Sequence, residues 1–252
     1  MQVLHGQGGV TAKSDSADEL VDALHAGDID AVQSLLRTNP ELARGSLGGR
    51  HADRTALHVL TDWPGYFPNG PQLVRVLVEA GADPNARPPG GPGSETPLHW
   101  AASSDDVDVA RALIDAGADL QAPEGSIGSP LDNAIGYACW NVAALLVERG
   151  APVDKLWHAA ALGMLDRLEE LAAQPEVDRD AISQAFWHAC GAARRRAAEL
   201  LLDRGADLDW TPPYAHGTAL DTAQGTGTQR ENVIEWLKSR GAQSAKSSSS
   251  GA

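Results

Sequence analysis

Residues 95–122 have the sequence ETPLHWAASSDDVDVARALIDAGADLQA, and this stretch predicts two short helices joined by a tight turn. Thr96 is a good N-cap because its hydroxyl can accept from the free N–H groups of the first turn. Pro97 suits the first helical position, where its missing N–H costs nothing. Apolar spacing predicts a second helix over about Val107–Ala116, and Gly117 follows where a left-handed C-cap favours glycine. Neither helix is long enough to be stable alone, so each pair must pack against the next pair.

The same register recurs along the chain. RTALHVL begins at Arg54, SPLDNAI at Ser129 and GTALDTA at Gly217. A glycine closes the second helix of five pairs, at Gly81, Gly117, Gly150, Gly205 and Gly241. The pattern resembles the ankyrin repeat, whose TPLHxAA opening and GAD ending recur about every 33 residues, and the resemblance covers about nine-tenths of the chain. It implies an all-α fold: an α-solenoid of about seven stacked helix pairs, with short hairpin loops and a concave face.

The chain is expected to have three parts. Residues 1–15 show no periodicity and predict a flexible N-terminal arm. Residues 16–243 predict a single ankyrin-repeat domain, whose first helix is capped by Ser16 or Asp18 and whose first pair is a degenerate capping repeat. Residues 244–252 are rich in serine and predict a disordered tail.

Composition favours a soluble cytoplasmic protein. The chain has 252 residues and a formal charge of −14, so nucleic acid and anionic membrane surfaces are unfavourable partners. No apolar run approaches the length of a membrane span, and the N-terminus lacks the pattern of a secretory signal. Cys139 and Cys190 fit buried free thiols in a reducing compartment. A monomer is expected.

The second repeat departs from the family pattern at residues 62–68, DWPGYFP. Most ankyrin repeats have only a few residues between their two helices, and this repeat has an insertion of about five more. Two prolines and a glycine predict a structured loop. Trp63, Tyr66 and Phe67 cluster on this loop, and a cluster of exposed aromatic side chains indicates a contact surface.

Large aromatic residues stand beside small residues at the ends of the first helices, which predicts a pocket rather than an evenly filled face. Partners of ankyrin proteins meet the loop tips and these helix ends. The predicted binding residues are Trp63, Tyr66, Phe67, Trp100, Tyr137, Trp157, Trp187, Trp210, Tyr214 and His216.

Four histidines on the first helices fall into two groups. His58 and His99 occupy the family's TPLH position, where the side chain usually bonds neighbouring backbone and holds adjacent repeats together. Asp132 takes the same position in its repeat. His158 and His188 fall one residue later, behind Trp157 and Trp187, which puts the usual bond between repeats in doubt there.

Two functional hypotheses remain open from the sequence. The first is a binding module that recognises a protein partner through its concave groove and loop tips. The second is a small-molecule site in that groove, where a metal-free acid/base lyase, cyclase or isomerase would use carboxylate, imidazole and phenol groups. The catalytic candidates under this second hypothesis are Asp62, Asp132, Tyr137, His158 and His188. No metal-ligand spacing, phosphate-binding loop or nucleophile elbow is present, so no metal and no cofactor are predicted.

Overall fold

A computed structural model describes residues 8–87, 94–123, 125–224 and 231–245 of the chain. The chain divides into two compact units, Met1–Ala151 and Pro152–Ala252. Helices dominate both units, and the predicted all-α solenoid is confirmed. A single domain over residues 16–243 stays a prediction.

The first unit contains, among its described residues, four helix pairs, one extra short helix and one β-hairpin. In chain order its elements are α1 (Gly8–Ala26), α2 (Ile29–Thr38), α3 (Glu41–Arg44), β1 (Ser46–Gly48), β2 (His51–Thr55), α4 (Ala56–Thr61), α5 (Gly70–Glu79), α6 (Pro97–Ser104), α7 (Val107–Asp115), α8 (Pro130–Gly136) and α9 (Trp140–Glu148). The antiparallel strands pair Ser46 with Thr55 and Gly48 with His51, so the segment between α3 and α4 is a β-hairpin.

The second unit contains three further helix pairs among its described residues. They are α10 (Leu156–Leu162) with α11 (Leu165–Ala172), α12 (Arg179–Gly191) with α13 (Arg195–Asp203), and α14 (Ala219–Ala223) with α15 (Glu231–Ser239). Its core combines alanines and leucines with the fully buried Phe186 and the almost fully buried Trp236.

Helices α6 and α7 follow from residues 95–122 as predicted. Thr96 and His99 form a reciprocal capping box at the start of α6, and Pro97 is its first residue. Ala101 and Ala102 are completely buried, so neighbouring helices can approach closely. Each helix is short, and burying one apolar side against the next pair supplies the stability that the isolated helix lacks.

Both ends of the chain require corrections. The first helix begins at Gly8 rather than at Ser16 or Asp18; no proline interrupts residues 8–16, so the helix continues backward past the predicted caps. Residues 1–7 of the predicted arm lie outside the described residues. At the other end Ala245 donates its backbone N–H to Asp221 at 2.9 Å, so the first residues of the predicted disordered tail are held on α14. Residues 246–252 lie outside the described residues.

Candidate functional site

The insertion loop of the second repeat packs against the turn between α6 and α7. The backbone N–H of Tyr66 donates to a carboxylate oxygen of Asp106 at 2.7 Å, and the Tyr66 hydroxyl donates to the backbone carbonyl of Asp105. Gly65 lies so close to this turn that an added Cβ would stand 3.1 Å from Ser104. Its φ of 73° also falls in the left-handed region that glycine adopts without strain.

The same loop is held from its other side by the first repeat. The ring of Phe67 stacks on His25 with centroids 4.5 Å apart, and the Asn69 amide donates to the carbonyl of Gly27 at 2.9 Å. The insertion is therefore fixed between two neighbouring repeats. On this fixed loop the side chain of Trp63 is 80% exposed and that of Tyr66 is 63% exposed.

A cleft of about 560 Å³ opens beside this loop in the first unit. The described residues that line it lie at the ends of α4, α6 and α8, on the insertion loop and just before the Thr96 cap of α6. They are Thr61, Asp62, Trp63, Glu95, Trp100, Ser103, Ser104 and Tyr137. Four residues predicted from sequence, Asp62, Trp63, Trp100 and Tyr137, are thus brought together, while their roles in binding or catalysis stay predictions.

The two carboxylates of this cleft differ in their surroundings. Asp62 forms an ion pair with Arg54, and its other oxygen accepts from the backbone N–H of Trp63 at 2.9 Å. The Arg54 guanidinium also lies 5.5 Å from the centroid of the Trp100 ring. The negative charge of Asp62 is therefore compensated by a cation that already contacts an aromatic wall of the cleft.

Glu95 was not predicted as a site residue. One of its carboxylate oxygens, Oε1, accepts from the Ser126 backbone at 2.9 Å, the Ser126 hydroxyl at 2.6 Å and the Asn133 amide at 2.7 Å. Burial acts to raise the pKa of Glu95, but the hydrogen bonds from Ser126 and Asn133 outweigh it and hold the pKa below its usual range. Glu95 is therefore ionised at neutral pH. Its position just before the Thr96 cap was the only sequence signal.

His58 and His99 hold adjacent repeats together, as predicted. His58 Nδ1 lies 2.8 Å from the hydroxyl of its helix cap Thr55, and Nε2 donates to the carbonyl of Glu95 at 2.9 Å. His99 repeats this arrangement with Thr96 and with the carbonyl of Gly128, at 2.8 and 2.9 Å. Burial lowers the pKa of His58 to about 4, so its imidazole is neutral at physiological pH.

Asp132 closes the first turn of its own helix. It is 1% exposed, and its Oδ2 accepts from the backbone N–H of Ser129 at 2.6 Å and from the Ser129 hydroxyl at 2.8 Å. Asp132 is outside the described lining of the cleft. The structure therefore shows this carboxylate capping its own helix, and the catalytic role predicted for it stays a prediction.

In the second unit a tryptophan makes the bond that a histidine makes in the first. The indole N–H of Trp187 donates to the carbonyl of Gly217 at 3.1 Å. Gly217 directly precedes the helix cap Thr218, as Gly128 precedes Ser129. The doubt raised from the sequence about this bond is resolved, because an indole reaches the same kind of acceptor.

An aromatic cluster in the second unit surrounds His188. Its ring stacks on Trp157 with centroids 4.7 Å apart, and its Nε2 lies 3.2 Å from the hydroxyl oxygen of Tyr214. Gln184, which was not predicted, donates to the same hydroxyl at 2.9 Å. Burial, with a smaller contribution from the nearby His158, lowers the pKa of His188 to about 4. His158 itself is buried, and its ring makes a T-shaped contact with the ring of Trp157, with centroids 4.3 Å apart.

The remaining predicted binding residues lie on the connection before α14. The Trp210 indole donates to a carboxylate oxygen of Asp180 at 2.6 Å, which pins this side chain to α12. His216 is exposed to solvent. Across the described ranges no group of three or more histidine, cysteine, aspartate or glutamate side chains is arranged to hold a metal ion. None of the helices in those ranges is long and apolar enough to cross a membrane.

Comparisons with known proteins agree with the repeat fold. A family model described as "Ankyrin repeats (3 copies)" matches residues 66–155. Over 99 residues the chain is 31% identical to the E3 ubiquitin-protein ligase KEG of Arabidopsis thaliana, an alignment that covers 36% of this chain and only 6% of that protein. Among solved structures, the ankyrin repeat domain of Bcl-3, described as a unique member of the IkappaB protein family, matches with a TM-score of 0.51 and 26% identity. That alignment covers 87% of this chain and 97% of the Bcl-3 domain.

Proposed function

The chain is an ankyrin-repeat protein, and we propose that it binds a protein partner through the cleft and the insertion loop of its first unit. Ankyrin repeats are protein-interaction modules, and their stacked helix pairs present a rigid surface for a partner. The precise surface, the partner and the absence of catalysis are part of the proposal.

One observation carries the proposal: Trp63 is 80% exposed on a loop that is fixed on both sides. An exposed tryptophan on a mobile loop would lose conformational freedom on binding, which weakens association. Here Tyr66 and Phe67 hold the loop through their contacts with Asp106 and His25, so the anchor is already in place. Tryptophan and tyrosine are the residues that most often dominate the energetics of protein interfaces.

The first experiment is native mass spectrometry of the chain purified gently from its host. We expect a retained protein chain, which is then identified and purified. Replacing Trp63 with alanine is expected to weaken the affinity of that partner about fivefold or more, since truncation of an aromatic anchor costs more than about 1 kcal/mol. Met164, an exposed apolar residue of the second unit, offers a matched control, and Met164→Ala should leave the affinity unchanged.

Two outcomes would contradict the proposal. If Trp63→Ala and wild type bind the retained partner equally, the insertion loop is not in the interface. If the chain retains no partner and instead carries a compound of a few hundred daltons, a small-molecule function is favoured.

That second candidate, a metal-free acid/base lyase, cyclase or isomerase, is supported by one arrangement in the second unit. The imidazole of His188 lies within hydrogen-bond distance of the Tyr214 hydroxyl and stacks on Trp157. A neutral imidazole beside a phenol is able to move a proton to and from a bound molecule. His188→Gln should then abolish turnover of the retained compound while the thermal unfolding midpoint stays within a few degrees; loss of the fold would give His188 a structural role.

The proposal includes a cytoplasmic, monomeric protein that binds neither nucleic acid nor membranes. The exclusion of nucleic acid and anionic membranes rests on the formal charge of −14, which repels polyanions. Light scattering during size exclusion would test the monomer directly, and a mass of twice 26.4 kDa would contradict it.

A further inference from the structure

We propose that the cleft of the first unit accepts an arginine side chain from the protein partner. This inference rests on the proposed function and names the chemistry of the group that the cleft recognises. It is carried by two features of the cleft: three aromatic side chains along its walls, and one carboxylate that forms no ion pair with any described residue.

The aromatic walls are formed by Trp63, Trp100 and Tyr137. The faces of such rings carry a negative electrostatic potential, which attracts cations within about 6 Å of the ring centroid. The chain itself shows this contact, because its own Arg54 guanidinium lies 5.5 Å from the centroid of Trp100. Tyr137 is 55% exposed and Trp63 is 80% exposed, so both have free surface for a second cation.

The uncompensated charge belongs to Glu95. Asp62, the other carboxylate of the cleft, is neutralised by its ion pair with Arg54. Three hydrogen bonds from Ser126 and Asn133 converge on Oε1 of Glu95, and they fix the carboxylate without cancelling its charge. No described residue donates a hydrogen bond to the second oxygen, Oε2, which leaves that oxygen for a ligand.

The shape and chemistry of these groups favour arginine over lysine. A guanidinium is planar, so it can stack on an indole or phenol ring while its edge donates to a carboxylate. A lysine ammonium is a compact, strongly hydrated charge that cannot stack in this way. The cleft of about 560 Å³ is large enough to admit the arginine together with the backbone of the segment that carries it. Charge also agrees, since a chain of formal charge −14 attracts a basic partner.

The test uses three acetylated and amidated pentapeptides that differ only at the central residue, which is arginine, lysine or citrulline. Citrulline keeps the planar shape of arginine but carries no charge. Each peptide is titrated into the ¹⁵N-labelled full chain at low salt, and the indole N–H signals of Trp63 and Trp100 are followed by NMR. Single Trp→Phe variants assign these two signals.

We expect the arginine peptide to shift both indole signals and to bind about tenfold more tightly than the citrulline peptide, because a charge-assisted hydrogen bond is worth about one decade of affinity. Glu95→Gln keeps a carbonyl oxygen for the bonds from Ser126 and Asn133 but removes the charge, and it should weaken the arginine peptide about tenfold. Glu79 is an exposed residue on the second helix of the preceding repeat. The matched control Glu79→Gln makes the same change in net charge and should alter the dissociation constant less than about twofold.

Three results would overturn the inference: equal binding of the citrulline and arginine peptides, tighter binding of lysine than of arginine, or equal effects of Glu95→Gln and Glu79→Gln. The last would mean that only the overall charge matters. The experiments distinguish loss of the arginine site from loss of the proposed protein binding. A partner whose affinity depends on Trp63 but not on Glu95 would keep the proposed function and remove the arginine site.

Discussion

The two units use the same pair of residue types in opposite order at equivalent positions. A residue with left-handed backbone follows each of two first helices: Asp105 follows α6 and Ala193 follows α12. His99-Trp100 and Trp187-His188 lie at the same distance in sequence before that residue. The first position of each pair bonds the carbonyl before the next helix cap, through imidazole at His99 and through indole at Trp187. In these two helices the first residue of the pair therefore makes the bond between repeats, whether it is a histidine or a tryptophan.

The second position of each pair has different surroundings in the two units. Trp100 lines the cleft of the first unit beside the ionised Glu95. His188 instead stacks on Trp157 and meets the hydroxyl of Tyr214. The two pairs therefore share the bond between repeats. They differ at the second position, where the first unit has the indole of Trp100 and the second unit has the imidazole of His188.

The largest effect is expected when the imidazole between repeats is removed. His99 is fully buried and bonds Thr96 and the carbonyl of Gly128. His99→Ala leaves these groups without a partner and opens a cavity, which should lower the free energy of unfolding by about 3 kcal/mol. Urea denaturation would measure this change, and His216→Ala, at an exposed histidine, is the control. A loss as small as that of the control would show that the bond between repeats is not what stabilises the first unit.

The next effect concerns pH and follows from the lowered pKa of the buried imidazole of His58. The unfolded chain takes up its proton near pH 6.5, whereas the folded chain does so only near pH 4. Between these values the unfolded state binds more protons, so stability falls as the pH falls through this window, by about 2 to 3 kcal/mol for His58 alone. Denaturation curves at pH 7 and pH 4.5 should show this loss.

The matched variant for the pH experiment is His58→Gln, which keeps an amide donor for the carbonyl of Glu95 and has no proton to gain. Its stability should depend less on pH than that of wild type over the same window. An unchanged pH dependence would mean that His58 does not carry the effect.

A smaller effect is expected at the indole that replaces the imidazole in the second unit. Trp187→Phe keeps most of the aromatic surface but removes the N–H that donates to Gly217, and this should cost about 1 kcal/mol of unfolding free energy. Trp157→Phe is the matched control, because Trp157 packs on the same His188 ring. A larger loss for Trp157→Phe would show that ring packing, rather than the bond to Gly217, holds this unit.

The smallest effect is expected at the surface contact of the second unit. Tyr214 is 58% exposed, so Tyr214→Phe loses its bonds with Gln184 and His188 where water can replace them. We expect a loss of less than about 0.5 kcal/mol and little change in the unfolding midpoint. A loss near that of Trp187→Phe would mean that Tyr214 helps to stabilise the unit and is not available for a ligand.

Much of this architecture was predictable because its signals are local. The capping of α6 by Thr96, the glycines that end second helices and the bonding of His58 and His99 all depend on residues a few positions apart or on one repeated register. The insertion at residues 62–68 was also recognised, because it interrupts that register. Its docking was not predicted, since it requires Asp106 and His25 from two other repeats.

Glu95 shows why the site itself was only partly predicted. The sequence places this carboxylate before a helix cap, and that position alone does not separate it from the many other acidic residues of an acidic chain. Its fixed geometry comes from Ser126 and Asn133, which belong to the following repeat. The start of α1 at Gly8 was not predicted either. There the cause is local, because the residues before Ser16 carry only weak signals for a helix.

The repeat, the helix pairs and the positions that join neighbouring repeats could be predicted from the sequence, because each of these depends on spacing within about 33 residues. The structure was needed to find which side chains share one cleft, that Arg54 compensates Asp62 while Glu95 keeps its charge, and that Trp187 makes the bond that His99 makes in the first unit. These outcomes depend on distances between residues of different repeats, and packing sets those distances when the helix pairs stack.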